Sequence, residues 1–135
     1  MGRLGENGVA MRKHYLDIDG KWAVILAYGI NAGSLDEISS WLEALGCDDA
    51  MIADACHVIM QPNTGFTFSN PDLKMSVVCV GNATSDEQWW DTLVHEIKHV
   101  QSHVCAYYGV PEKSEEASYL IGYIMRLAIR AIKRG

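Results

Sequence analysis

The chain has 135 residues, of which 49% are hydrophobic and 21% are charged, and this composition is typical of a globular protein rather than a disordered one. A chain of this length usually folds as one domain and can bury a core without disulfide bonds. The net charge of -6 argues against nucleic acid or an anionic membrane surface as a partner, because both attract basic proteins. The sequence contains no run of about 20 apolar residues, so we expect no transmembrane helix.

The first residues are rich in glycine and polar side chains and contain no apolar segment of the kind found in signal peptides. We interpret residues 1–13 as a flexible leader, treat residues 1–135 as a single domain, and expect a cytoplasmic protein. Without a secretion signal, cysteines that lack Cys-x-x-Cys spacing are expected to be reduced and buried. The cysteines are Cys47, Cys56, Cys79 and Cys105.

Four segments have the character of β-strands. Segments 14–18 and 21–28 flank Asp19-Gly20, a pair that favours the tight turn of a β-hairpin. Segment 66–68 is short enough to be an edge strand, and segment 74–80 is the clearest candidate for a buried strand. A sheet edge formed by the last two segments would suit an extended peptide substrate.

Helix signals lie on both sides of these later strands. Ser34 with Glu37 has the spacing of a capping box and predicts a helix that ends at Gly46. A second short helix is predicted to begin at Asp48 or Asp49 and to run to about residue 60.

Two longer helices are predicted in the carboxyl-terminal half. Ser85 and Gln88 form a second capping pair that opens a helix running to about Tyr108, where Gly-Val-Pro at 109–111 ends it. A final helix spans about 114–133. Its apolar stripe consists of Leu120, Ile124, Leu127 and Ala131. The order of elements predicts an α+β fold, with a small antiparallel sheet and helices packed against it.

The sequence His95-Glu96-Ile97-Lys98-His99 lies within the first of these long helices. Spacing of four residues places both imidazoles on one helix face, where they can bind one Zn²⁺ ion at about 2.1 Å each. Glu96 lies close enough to accept a proton from zinc-bound water. About 0.01 matches to this motif are expected by chance in a shuffled chain of this composition.

A catalytic zinc site normally uses three protein ligands. His103 is a poor third ligand, because on a straight helix it lies about 12 Å along the axis from His95. It could instead donate to the transition state or support a ligand. Glu115 and Glu116, in the first turn of the final helix, are the better candidates. Acidic residues there also suit the helix dipole, so a purely capping role stays open.

The motif and the segment Glu115-Glu116-Ala117-Ser118-Tyr119-Leu120-Ile121-Gly122-Tyr123 resemble the small zincin-type, gluzincin-like metallopeptidase proteins encoded by bacteriophages and bacterial mobile elements. Those proteins pair HExxH with a downstream Glu-x-x-Ala-Tyr-Leu-x-Gly-Tyr stretch, and the resemblance is specific over residues 89–123. It implies that His95, His99 and Glu115 are zinc ligands and that Glu96 is the catalytic base. Ser118 stands where the family usually has alanine.

Helical geometry and the resemblance favour different third ligands. The apolar stripe of the final helix centres about 50° from Glu116 and about 150° from Glu115, which would turn Glu116 inward. Gly122 lies about 20° from Glu115, as expected if that face passes close to the motif helix, and Tyr119 would share the face. We therefore favour Glu115 and keep Glu116 as the alternative.

These features predict a zinc-dependent hydrolase, most readily a metallopeptidase with a peptide or protein substrate. Two alternatives stay open. The chain could be a non-catalytic zinc-binding protein with a regulatory or interaction role, or a metal-free structural domain in which the histidines are incidental.

Overall fold

The computed structural model describes residues 10–135, which form an α+β fold, as predicted. The strands are β1 (Arg12–Ile18), β2 (Trp22–Tyr28), β3 (Gly65–Asn70) and β4 (Met75–Val80). The helices are α1 (Leu35–Ala44), α2 (Asp49–Ile59), α3 (Asp86–Tyr108) and α4 (Glu115–Arg134), and a short 3₁₀ turn (Ala32–Ser34) precedes α1.

The four strands lie in the order β1-β2-β4-β3. The β1–β2 and β3–β4 pairs are antiparallel, whereas β2 and β4 are parallel, with Leu26 opposite Val78. The sheet is therefore mixed rather than wholly antiparallel as predicted. The chain leaves β2 through α1 and α2, reaches the far edge at β3, and returns beside β2, which makes β4 run in the same direction as β2.

The helices cover both faces of the sheet and create two cores. One core lies between the sheet and α3 with α4, and it includes Trp22, Val24, Leu26, Val78, Trp89, Leu93, Ile97, Ile124 and Ala128. The other lies between the sheet and α1 with α2, and it includes Ala27, Ile30, Ile38, Leu42, Ile59, Val77 and Cys79. The apolar stripe predicted for α4 packs against the first core.

The hairpin forms at the predicted turn, where Asp19 and Gly20 have φ angles of 53° and 69°, as a tight turn of this type requires. Strand β1 begins at Arg12, so Arg12 and Lys13, which we assigned to a leader, belong to the sheet. Residues 1–9 of that predicted leader lie outside the described residues.

The capping box predicted between Ser34 and Glu37 is wrong. Ser34 makes no side-chain cap to α1. It forms a capping box with Asn31, three residues earlier, which is the N-cap residue of the 3₁₀ turn. Glu37 forms an ion pair with Lys13 of β1 instead. The Ser34 hydroxyl thus forms its hydrogen bonds within the 3₁₀ turn instead of with α1. The spacing of Ser34 and Glu37 alone could not distinguish these two possibilities.

The other helix boundaries follow their sequence signals. Asp48 accepts a hydrogen bond from the Met51 amide at the start of α2, and Ser85 accepts one from the Gln88 amide at the start of α3. Gly109, with φ of 71°, ends α3 in the left-handed conformation. All four cysteines are free, and three of them are buried. No helix within residues 10–135 is long and apolar enough to cross a membrane.

Candidate metal centre

Helix α3 presents His95 and His99 on an exposed face, one turn apart. Their Nε2 atoms lie 3.2 Å apart and their ring centroids are separated by 4.9 Å. The opposite side of the helix is fixed by Leu93, Ile97 and Val100, all of which are fully buried against the sheet. Burial of that side therefore sets the rotation of the helix that turns the imidazole pair outward.

The geometry of the imidazole pair fits a zinc ion. Two nitrogen ligands about 2.1 Å from one tetrahedral zinc ion stand about 3.4 Å apart, close to the 3.2 Å observed between the two Nε2 atoms. The two Nε2 atoms are within hydrogen-bond distance of each other on a single helix face, and His95 and His99 would hold the ion between them.

Glu96 lies between this exposed face and the sheet and is only 5% exposed. The hydroxyl of Thr67 on β3 lies 2.9 Å from its Oε1 atom and 3.1 Å from its backbone oxygen. Glu96 and His95 line the same open cavity of about 360 Å³, together with Val58, Asn63, Thr64, Gly65, Asp91 and Thr92. A carboxylate is therefore held in a fixed position beside the imidazole pair.

Gly65 allows β3 to approach α3 closely at this point. A Cβ atom there would lie 2.8 Å from the backbone oxygen of Cys79, 2.9 Å from Cγ2 of Thr92 and 3.0 Å from Cγ of Glu96. Only glycine fits without displacing the strand or the helix, so Gly65 helps to set the distance between Thr67 and Glu96.

His103 follows His99 by one further turn, and the two ring centroids lie 6.4 Å apart. Its Nδ1 atom is 2.6 Å from the Ser69 hydroxyl on β3. Burial, and secondarily the charge of His99, lowers the pKa of His103 below its usual value. The Nδ1 atom of His103 is therefore directed toward β3.

The start of α4 packs on another side of α3. The Gln101 side-chain amide donates to the backbone oxygen of Ala117 at a distance of 3.0 Å, and on a helical wheel Gln101 lies about 120° from His95. Glu115 and Glu116 are exposed there. Residues 10–135 contain no group of three His, Cys, Asp or Glu side chains able to hold a metal ion.

Gly122 and Tyr119 were both expected to lie on the side of α4 that carries Glu115. A Cβ atom at Gly122 would meet nothing within 4 Å, so Gly122 does not mark a close approach to α3, and that reason for favouring Glu115 is wrong. Tyr119 is 71% exposed. It shares the outer side of α4 with Glu115, as expected, but that side faces away from the core.

The loop between α3 and α4 is tied to α3 by Lys98. Its ammonium group donates to Gln101 at 2.8 Å, to Ser102 at 3.0 Å and to Glu112 at 2.7 Å. Hydrogen bonding to Lys98, and secondarily to Ser102, lowers the pKa of Glu112. Lys98, at the fourth position of the motif, therefore holds the loop on the side of α3 that carries Gln101.

The polar side chains that β3 and β4 contribute beside α3 were not predicted from the sequence. Thr67 contacts Glu96, and Ser69 contacts both His103 and Ser76. Two sequence signals were available. Gly65, Thr67 and Ser69 alternate with two phenylalanines, which predicts one polar strand face, and Ser76 is the one hydroxyl residue in the otherwise apolar strand β4.

Comparison with known proteins gave no match: no family model, no curated protein and no solved structure matches this chain. The resemblance to zincin-type proteins therefore depends on the motif residues themselves.

Proposed function

We propose that this protein is a zinc-dependent hydrolase, most readily a metallopeptidase, in which His95 and His99 bind the ion and Glu96 is the general base. The observation that carries the proposal is the 3.2 Å separation of the two Nε2 atoms beside a carboxylate held by Thr67. This separation is close to the spacing of two nitrogen ligands on one zinc ion, and the buried Glu96 lies beside the pair.

The third protein ligand we propose is Glu115, as the resemblance implies, with Glu116 as the alternative. We propose that the first turn of α4 leaves its contact with Gln101 when one of these carboxylates joins the histidines. The exposure of both glutamates leaves them free to move. If neither moves, water molecules would complete the coordination of a site with two protein ligands.

Zinc bound at this position would supply Lewis acidity, which makes a water molecule acidic near neutral pH and polarises a carbonyl group. The Glu96 carboxylate would accept the proton of the attacking water and deliver it to the leaving nitrogen. Thr67 would hold the carboxylate in place during both transfers, because it donates to Oε1. The burial of Glu96 limits its other orientations.

Among residues 10–135, β3 is an edge strand of the sheet, and an edge beside the site favours an extended peptide as the substrate. Thr64 accepts a hydrogen bond from the Gly81 amide at 2.7 Å, so the alternation of an antiparallel pair directs the backbone groups of Phe66 and Phe68 toward β4. The backbone groups of Thr67 and Ser69 then point away from the sheet, where a further strand could pair with them.

Zinc content is the first test. Untagged wild-type protein is expected to contain about one zinc ion per chain, and His95→Ala and His99→Ala are each expected to lose it. His57→Ala is the matched control, because His57 is an exposed histidine on α2. Loss of zinc from Glu115→Ala or Glu116→Ala would identify the third ligand. A wild-type chain that stays metal-free when zinc is offered would contradict the proposal.

Turnover is the second test, with a peptide library as the substrate. Glu96→Gln is expected to keep zinc and to lose activity by a factor of about 10² or more. Unchanged cleavage by this variant would overturn the assignment of the base. Bound zinc without cleavage of any library peptide by the wild type would instead favour a regulatory or interaction role.

A further inference from the structure

A second cavity lies farther along α3 and outside the metal centre. It measures about 350 Å³ and is lined by Ser69, Pro71, His103, Ala106 and Tyr107. Carbon atoms form most of the wall, since a proline, an alanine and a tyrosine ring contribute to it. The His103 imidazole is the polar group best placed to orient a ligand there.

A chain of hydrogen bonds leads from the core to this imidazole. The indole nitrogen of Trp22 donates to the Ser76 hydroxyl at 2.8 Å. The hydroxyls of Ser76 and Ser69 lie 2.6 Å apart, and the Ser69 hydroxyl lies 2.6 Å from Nδ1 of His103. Both Trp22 and Ser76 are buried, so water does not interrupt the chain at its inner end.

In this series of hydrogen bonds, the donor and the acceptor of each bond can be assigned in one way only. An indole nitrogen can only donate, so Ser76 accepts from Trp22. The Ser76 proton is fully buried, and Ser69 is the acceptor available to it among the described residues. Ser69 then donates its own proton to Nδ1 of His103. His103 is thereby held as the neutral tautomer with its proton on Nε2.

The Nε2 atom of His103 is accessible to a ligand. It has no hydrogen-bond partner among residues 10–135, and no buried polar side-chain atom in that range lacks one. The atom must therefore be reached by solvent, and the cavity that His103 lines provides the opening.

We propose that this cavity is a subsite for a ligand that joins an apolar group to a hydrogen-bond acceptor, and that Trp22, Ser76 and Ser69 hold His103 as the donor to that acceptor. An apolar residue of a peptide, with its backbone carbonyl, has this chemistry. The identification of the ligand as a peptide rests on the proposed function, but the subsite is defined by residues outside the metal centre and can be tested without zinc.

The tautomer is tested by nitrogen NMR of the histidine rings in metal-free protein at about pH 8, where histidine is neutral. Wild-type His103 is expected to carry its proton on Nε2. Ser69→Thr keeps a hydroxyl and should preserve this state, whereas a folded Ser69→Ala should show a mixture of tautomers. Ser102→Ala, a neighbouring hydroxyl on α3, is the control. A wild-type His103 protonated on Nδ1 would overturn the proposal.

Binding is tested on the same metal-free protein with N-acetyl-leucinamide as the probe and N-acetylglycinamide as its counterpart without an apolar side chain. The leucine probe should shift the amide signals of Ser69, Ala106 and Tyr107, and the glycine probe should bind more weakly. His103→Phe should weaken binding by about tenfold, the value of one hydrogen bond. Equal binding of both probes, or shifts elsewhere, would contradict the subsite even if zinc-dependent turnover is found.

Discussion

The hydroxyl of Thr67 on β3 lies within hydrogen-bond distance of two oxygens of Glu96 on α3, 2.9 Å from Oε1 and 3.1 Å from the backbone oxygen. An edge strand thus fixes both the carboxylate and the helix turn that carries it. Because Glu96 is almost completely buried, few other groups could replace this contact. The position of the proposed base is therefore set by β3 as much as by its own helix.

Thr67→Val keeps the shape of the side chain but removes its hydroxyl. We expect turnover to fall by about tenfold, since one hydrogen bond to a charged group is lost, while zinc content stays unchanged. Thr67→Ser restores the hydroxyl and should recover most of the activity. The measurement is cleavage of the best library peptide alongside zinc content. Equal activity of the valine and serine variants would show that Thr67 does not position Glu96.

Gly65→Ala should destabilise the protein by about 1–3 kcal/mol, because the new methyl group would overlap the Cys79 backbone and the Glu96 side chain. Gly122→Ala is the control. Gly122 lies inside α4 with nothing within 4 Å of a Cβ atom, so alanine should stabilise it by about 0.5–1 kcal/mol. Urea unfolding of metal-free protein measures both changes. A neutral Gly65→Ala would mean that β3 can move away from α3.

Local signals in the sequence were sufficient to predict most helices and strands. Asp19-Gly20 specified the hairpin turn, and Ser85 and Gly109 marked the two ends of α3. The pairing of β2 with β4 was not predictable in this way. Their parallel alignment depends on the path of the chain from β2 through α1, α2 and β3 to β4. No residue pattern in either strand encodes the direction of its neighbour.

In the candidate site, too, the relations within one helix could be predicted, whereas the relations between helices could not. The pairing of His95 with His99 followed from the period of a single helix. The relation of Glu115 to that pair depends on how α4 is rotated against α3, where Gln101 donates a hydrogen bond to Ala117. A buried glutamine that donates a hydrogen bond to a neighbouring helix has no sequence signature. The distance between the start of α4 and the histidines of α3 could therefore not be derived from the sequence.

His14 on β1 should make stability depend on pH. Burial, and secondarily the positive charge of Arg12, holds the pKa of His14 below its usual value of 6.5, and its Nε2 atom lies 2.9 Å from the Tyr28 hydroxyl. The unfolded chain then binds the proton more readily than the folded one. The contribution of neutral His14 to the free energy of unfolding is fully present above about pH 6.5, and it is lost as the pH drops through the lowered pKa of His14.

The test compares wild type with His14→Gln, which keeps a hydrogen-bonding side chain but does not titrate. Between about pH 8 and about pH 5, the free energy of unfolding of the wild type should fall more than that of the variant. Parallel curves for the two proteins would show that His14 is protonated equally in the folded and unfolded states.

Gln101→Leu tests whether the start of α4 moves when zinc binds. Gln101 is 3% exposed, donates to Ala117 and accepts from Lys98, so its loss should destabilise the metal-free protein by about 1–2 kcal/mol. If Glu115 or Glu116 joins the histidines, the contact with Ala117 is already broken in the zinc-bound state. Loss of the hydrogen bond to Ala117 then weakens only the metal-free state, whereas loss of the bond from Lys98 affects both states equally, and zinc affinity should rise by about tenfold.

Zinc titration of Gln101→Leu, with the exposed Gln88→Leu on the same helix as the control, measures this change. An affinity that rises in the first variant and not in the second means that the first turn of α4 leaves α3 to complete the site. An unchanged affinity means that α4 stays in place, and His95 and His99 are then the protein ligands of a more open site.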